Sequence, residues 1–189
     1  MNAVLDQSRA STAAPRRRTA WWRFWLGLAA SLLALDVCTF LYPPVDSPRR
    51  TDLIVVLGPW QETGRVVEGA RLAHRYPDSA LYLSVYNLGE CALLRRVTRR
   101  GDAQCFIPDP FSTRGEARAA ADFARLHGYR SMTMVTTGDQ LVRGGVRFRR
   151  CFAGPVRLAE GRSSFGFRWE RFLYQNAAMV KALVVERTC

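Results

Sequence analysis

The chain reads as an α/β protein, a doubly wound parallel sheet of about five strands preceded by one transmembrane helix. Three observations predict this. Short, uninterrupted apolar runs such as "DLIVVL" at 52–57 alternate with longer amphipathic stretches, and a run that is apolar throughout marks a strand covered on both faces. The connections between runs are too long for hairpins. Successive strands therefore lie parallel, and right-handed crossovers must cover both faces of the sheet. Ahead of the sheet, residues 24–42 hold 19 residues with a single charge, Asp36, close to the length that spans a bilayer.

In chain order, residues 1–20 are polar, small and basic, and are expected to be a disordered cytoplasmic tail. Residues 21–42 form a signal anchor. Trp21, Trp22 and Trp25 at one end and Tyr42 at the other stand where interfacial aromatics belong. Arg16, Arg17, Arg18 and Arg23 keep the N-terminal side cytoplasmic and send the rest of the chain outside. Asp36 fits such a span near its outer interface, where the cost of a buried charge falls. Rival readings are weaker. A cleaved signal peptide lacks a good small-x-small site, "LDVC" has Val37 where a lipoprotein signal needs a small residue, and "RRTAW" is a poor twin-arginine motif.

A Pro-rich linker, 43–51, leads to the domain, 52–189. The first strand (52–57) is followed by a turn and a helix carrying Val66, Ala70 and Ala73 on one face and stopped by Pro77. The second strand is 80–84, the second helix 88–99 and the third strand 104–107. Thr113 and Glu116 then have capping-box spacing: the threonine oxygen accepts from the N3 amide and the glutamate reaches back. Ala117, Ala120, Ala121 and Ala124 form the buried face of that helix, and Gly128 ends it. The fourth strand is 131–136. Its following helix buries Leu141, Gly145, Phe148 and Phe152, and a short fifth strand lies near Val156. The last helix, from about residue 168, is expected to bury Trp169, Phe172, Leu173, Val180 and Leu183 on one face.

The formal charge is +12, and of 28 basic residues all but Lys181 are arginine. A basic globule faces something anionic: nucleic acid, lipid headgroups, a wall polymer or a phosphorylated substrate. The charge flank of the anchor opposes a cytoplasmic domain and with it a nucleic-acid partner; the membrane is the partner it implies. His74 and His127 are the only histidines, and no Cys/His cluster has metal-ligand spacing. Neither a P-loop nor a G-x-G-x-x-G fingerprint follows the first strand, and no G-x-S-x-G elbow appears. The cofactor, if any, is unknown, and no side chain declares itself a catalyst.

In such folds ligands sit beyond the carboxyl ends of the strands, at the switch point. The polar residues cluster there: Gly58, Trp60 and Arg65 after strand one, Ser84 and Glu90 after strand two, Thr113 and Arg114 after strand three, Thr136, Gln140 and Arg143 after strand four. Arg65, Arg114 and Arg143 each fall in a first helical turn, where backbone amides also attract anions. Together they suit a phosphate or carboxylate. Each has a plainer reading. Thr113 and Glu116 are accounted for by capping, Glu90 by a surface pair with Arg95 or Arg96, and Gly58 by the turn. Arg143, Arg147 and Arg150, spaced i, i+4, i+7, are explained by one solvated helix face, the expected reading for the latter two.

The order "DLIVVLG…GR", "S…GE", "STRGEA", "VTTGDQLVRGG" resembles the YdcF-like family of SanA and ElyC types, over residues 51–185. That resemblance implies a Rossmann-like fold, a single N-terminal span, and a role in envelope barrier function or in peptidoglycan and lipid-carrier metabolism. It aligns Gly58, Arg65, Glu90, Thr113, Glu116, Thr136 and Arg143 with the family's strand-end positions. The chain departs at Pro59 and Trp60, where more glycine is usual, and at Ser84-Val85-Tyr86, where Ser-Gly-Gly is usual. Gln140 stands where a histidine is common, and glutamine does not titrate near neutral pH.

Cys91, Cys105, Cys151 and Cys189 lie in the domain and allow two disulfides in an oxidising exterior, with three connectivities. Cys91 and Cys105, flanking one helix, are the first candidate pair. Two function classes follow. One is an anchored envelope protein whose strand-end pocket binds an anionic precursor, such as a polyprenyl-phosphate-linked sugar. The other is a non-enzymatic assembly factor using its basic surface on anionic lipid or wall polymer.

Overall fold

Leu53, Val55 and Leu57 alternate with Ile54 and Val56 along the first strand, and every one of them is buried. A strand apolar on both faces needs a layer of helices on each, and the chain supplies them. The computed structural model of the protein describes residues 16–58, 63–162 and 169–189. Within them the chain divides into two units at Val37 and Cys38.

The first unit consists of most of helix α1, Arg16–Leu41. Its stretch Trp21–Leu41 has a mean hydropathy of 1.9 and is long and apolar enough to cross a membrane. Within the described residues the helix includes 16–20. Extending an existing helix adds one hydrogen bond per residue fixed, and arginine and alanine are good helix formers.

In the second unit, β1 (Leu53–Val56), β2 (Ala80–Ser84), β3 (Gln104–Phe106), β4 (Met132–Thr136) and β5 (Val156–Glu160) form one sheet in the order β3-β2-β1-β4-β5. All pairings are parallel. The helices between them are α2 (Thr63–Arg75), α3 (Gly89–Thr98), α4 (Thr113–Leu126) and α5 (Gly138–Cys151); α6 (Trp169–Val180) follows and continues into a π turn at Lys181–Val185. Two cores result. Leu53, Val55 and Leu57 pack with Ala117, Ala120, Leu141 and Phe148 of α4 and α5. Ile54 and Val56 pack with Val66, Leu72 and Leu94 of α2 and α3. The architecture is the Rossmann-like α/β sandwich expected, and chain direction across the sheet reverses between β1 and β4. That reversal opens a crevice at the carboxyl edge, since the helices after β1 and β4 leave on opposite faces.

The linker is part of the fold. The Asp46 amide donates to the Leu158 carbonyl at 2.9 Å and its carboxylate accepts from the Leu158 amide at 2.8 Å, lining the linker along β5. Two disulfides are present: Cys91–Cys105 ties α3 to the next strand, β3, and Cys151–Cys189 ties the end of α5 to residue 189.

Two local expectations are corrected. The helix cap of α4 lies one residue earlier than Thr113. Ser112, in extended backbone, accepts from the Gly115 amide at 3.3 Å, and Glu116 does not reach back to close a box. Ser112 and Thr113 are both competent caps, and Ser112 wins because Glu116 is held elsewhere by the sheet edge. The last helix buries Phe172 as expected but not the rest of its expected face. Phe172, Gln175 and Ala182 are buried, whereas Trp169, Leu173, Val180 and Leu183 are exposed. Polar Gln175 takes an inward position because it meets a buried guanidinium.

Candidate functional site

A cavity of about 200 Å³ lies at the carboxyl edge, lined by Gly58, Tyr86, Pro108, Phe111, Ser112, Thr113, Glu116, Gln140, Arg143 and Tyr174. Each wall comes from a different element. Gly58 follows β1. Tyr86 follows β2 and stacks on Phe111 with ring centroids 4.7 Å apart. Thr113 and Glu116 lie in the first turn of α4, Gln140 and Arg143 in α5, and Tyr174 in α6.

Glu116 forms the floor. Its Oε1 accepts from the Gly58 amide at 2.8 Å, and it also accepts from the Ser84 hydroxyl. Gly58 suits this place because a Cβ there would come within 3.3 Å of Ser84 Oγ and 3.7 Å of the carboxylate. Burial disfavours the charged form and pushes the Glu116 carboxyl from the ordinary 4.5 up to about 7. The bonds from Ser84 and Gly58 and the charges of Arg65 and Arg143 oppose the shift without cancelling it. Near neutral pH this side chain exists in both forms, so it can donate or accept a proton inside the cleft.

Arg143 forms the wall opposite. It is only 9% exposed. Its Nε donates to Gln175 Oε1 at 2.9 Å and its Nη1 to Thr113 Oγ1 at 3.3 Å. Both partners are neutral, and desolvation holds its pKa below the usual guanidinium value. Gln175 is itself fixed by donating to Asp139 at 3.1 Å, and Arg171 pairs with the same carboxylate at 2.9 Å. The guanidinium is thus aimed by hydrogen bonds to neutral groups, and the carboxylates of Glu116 and Asp139 act on it through space.

Of the residues read from the sequence, the structure gathers Gly58, Thr113, Gln140 and Arg143 around the cavity. Ser84 stands behind it, bound to Glu116. Arg65 is 0% exposed. It donates to the carbonyls of Leu57 and Gly58 and, at 3.0 Å, to Thr137 Oγ1, so it clamps the end of β1 to the start of α5. Thr136 is buried at the end of β4, with no hydrogen-bond partner for its hydroxyl among the described residues. Glu90 accepts from the Tyr86 amide at 3.1 Å and from Asn87 at 3.0 Å. It braces the turn that carries Tyr86 and makes no surface pair with Arg95 or Arg96. Arg114 points away, donating to the Cys189 carbonyl at 2.8 Å. Trp60 lies outside the described residues.

Arg147 and Arg150 are not a solvated face. Arg147 is buried and paired with Glu186, and Arg150 donates to the carbonyls of Ala182 and Glu186. The C-terminal segment covers them because it offers Arg147 a carboxylate and Arg150 two backbone carbonyls. Sequence reading missed Tyr86, Phe111, Tyr174 and Gln175, and it saw Glu116 only as a cap. The clue for Glu116 was the pair of adjacent cap-competent residues, Ser112 and Thr113, which frees the glutamate from that duty.

Fold and site together define a Rossmann-like α/β domain with a strand-end cleft that pairs a buried carboxyl with a buried arginine, behind one helix fit to cross a membrane. Compared with known protein families, with curated proteins and with solved structures, the chain matches none.

Proposed function

We propose that the chain is a single-pass membrane protein of the cell envelope, YdcF-like in kind, whose domain lies outside the cytoplasm and whose cleft binds an anionic, phosphate-bearing group. The observation that carries this reading is Arg143, a buried cation in the cavity wall whose hydrogen-bond partners, Gln175 and Thr113, are both neutral. A desolvated cation is costly. Glu116 and Asp139 act on it only through space, and Glu116 is partly protonated near neutral pH, so an anionic ligand in the cavity adds a favourable charge. Protonated Glu116 adds a hydrogen-bond donor for a phosphate oxygen, and the amino end of α4 adds a favourable dipole.

The cavity, about 200 Å³, is smaller than the roughly 300–1,000 Å³ that encloses a drug-sized ligand. It therefore suits a head group rather than a whole molecule, as in a polyprenyl-phosphate-linked sugar. The two disulfides support an oxidising compartment, and the arginines before the span support an outward domain. The alternative, a basic surface working on lipid or wall polymer, loses its main residues, since Arg147 and Arg150 are engaged within the chain.

The test is thermal unfolding of the full chain in detergent against inorganic phosphate, sugar phosphates, polyprenyl-phosphate analogues, wall-polymer fragments and nucleotides. A specific ligand at about 100 times its dissociation constant adds about 2.7 kcal/mol. Stabilisation by phosphate-bearing compounds, absent in Arg143→Ala, is the expected result. No shift from any of them sinks the proposal.

A further inference from the structure

Helix α6 is inside-out. The domain-facing side of α6 and the π turn after it carries polar Gln175 with Phe172 and Ala182, while Leu173, Ala177 and Val180 of α6 and Val184 of the π turn face outward. Those four positions are spaced i, i+4, i+7, i+11, one continuous helical stripe. Leu173 is 62% exposed and Val184 56%. Apolar side chains presented in a row, rather than scattered, mark a contact surface.

We infer that this stripe lies in the interface of the bilayer that holds the chain's own anchor, so that the cleft opens at the membrane surface. Three further observations choose the bilayer as occupant. Phe40, in the last turn of the membrane-fit stretch, packs edge-on against Phe172 with centroids 5.4 Å apart. The end of a span sits at the membrane–water boundary, so α6 begins one ring contact from that boundary. Pro43, two residues beyond the helix, lies against Gly138 at the carboxyl edge, where an added Cβ would come within 3.1 Å of it. Finally, the stripe is flanked by exposed Trp169, Tyr174 and Lys181. Aromatic and basic residues beside an apolar stripe are the pattern of an interfacial helix.

Tyr174 belongs both to α6 and to the cavity lining. With the stripe seated in lipid, the cleft receives the phosphate of a membrane-borne amphiphile from the headgroup layer, while its chains stay in the bilayer. The inference rests on the anchored reading above, and names the source of the ligand.

The test uses the full chain in proteoliposomes, in a Cys38→Ala background that removes the free thiol. An environment-sensitive fluorophore is attached to Leu173→Cys, to Val184→Cys, or to Val67→Cys as a control on exposed α2. Brominated lipids are the quencher, and flotation after an alkaline wash reads the anchor separately. Quenching at 173 and 184 is expected to exceed that at 67 by roughly twofold or more, as for side chains lying at the headgroup–acyl boundary. Equal quenching at all three sites in protein that floats overturns the inference and leaves the anchor standing. Concentration-dependent self-quenching without lipid quenching assigns the stripe to a second copy instead. Protein that does not float overturns both.

Discussion

Two arginine-rich regions of the domain start from the same helix and come to different ends. Arg147 and Arg150 turn toward the C-terminal segment, where Glu186, the carbonyls of Ala182 and Glu186, and the nearby Cys151–Cys189 disulfide form a clasp. Arg114 and Arg118 join it by donating to the Cys189 carbonyl. Arg143, one turn earlier, meets Gln175, Thr113 and a cavity. The clasp meets its charges with an acid and with backbone oxygens; the cleft orients its charge through neutral partners, with Glu116 and Asp139 acting on it only through space. What separates an anchor from a binding group is the partner, not the residue type.

The largest expected effect lies in the clasp. Replacing both Cys151 and Cys189 by serine opens a loop of sequence separation 38, and chain entropy alone puts the loss near about 4 kcal/mol. Denaturant unfolding reads it, and phosphate binding by the remaining folded protein is expected to persist. If binding vanishes with the clasp, the two regions are not separable.

Glu116 comes next. Its folded pKa, about 7, lies above the ordinary 4.5, so between those values the folded chain holds a proton that the unfolded chain has released. The stabilisation is complete below about pH 4.5, is lost as pH rises to about 7, and is flat beyond. The swing is on the order of 3 kcal/mol, from about 1.4 kcal/mol per unit. Glu116→Gln keeps an oxygen for the Gly58 amide and is expected to erase this slope in unfolding measured from pH 4.5 to 8. An unchanged slope means that another group carries it.

Arg147→Ala is expected to cost about 2 kcal/mol, below the usual range for a fully buried pair because Glu186 keeps partial access to water. It should leave anion affinity unaltered. A loss of binding here, measured by calorimetry, would merge the clasp with the cleft.

The sheet was legible because its first strand, LIVV, is buried and apolar on both faces and the strands after it alternate with amphipathic helices. The Cys91–Cys105 pair was legible because the two cysteines bracket one helix between neighbouring elements. The site was legible as an edge but not as a set of contacts. Arg65 and Arg143 were both expected in a first helical turn; Arg65 is there and is swallowed by the carbonyls of β1, whereas Arg143 lies in the second turn of α5, which starts at Gly138. That depends on where α5 crosses the sheet, which local spacing does not encode. The face of α6 was misread for a related reason. Its apolar residues outnumber its polar ones, and the inward position is decided by Gln175 answering a guanidinium 32 residues away in sequence.

On the proposed function Arg143 serves a ligand, while Arg147 serves the fold. The direct measurement is calorimetric titration of inorganic phosphate and a phosphate monoester into the full chain in detergent, as wild type, Arg143→Gln and Arg147→Gln. At least a roughly tenfold loss of affinity is expected in Arg143→Gln with stability changed by less than about 1 kcal/mol, as for truncating one partner of a charge-assisted contact. Arg147→Gln should bind like wild type and unfold more easily. Equal affinity in all three proteins, or a greater loss in Arg147→Gln, would contradict it.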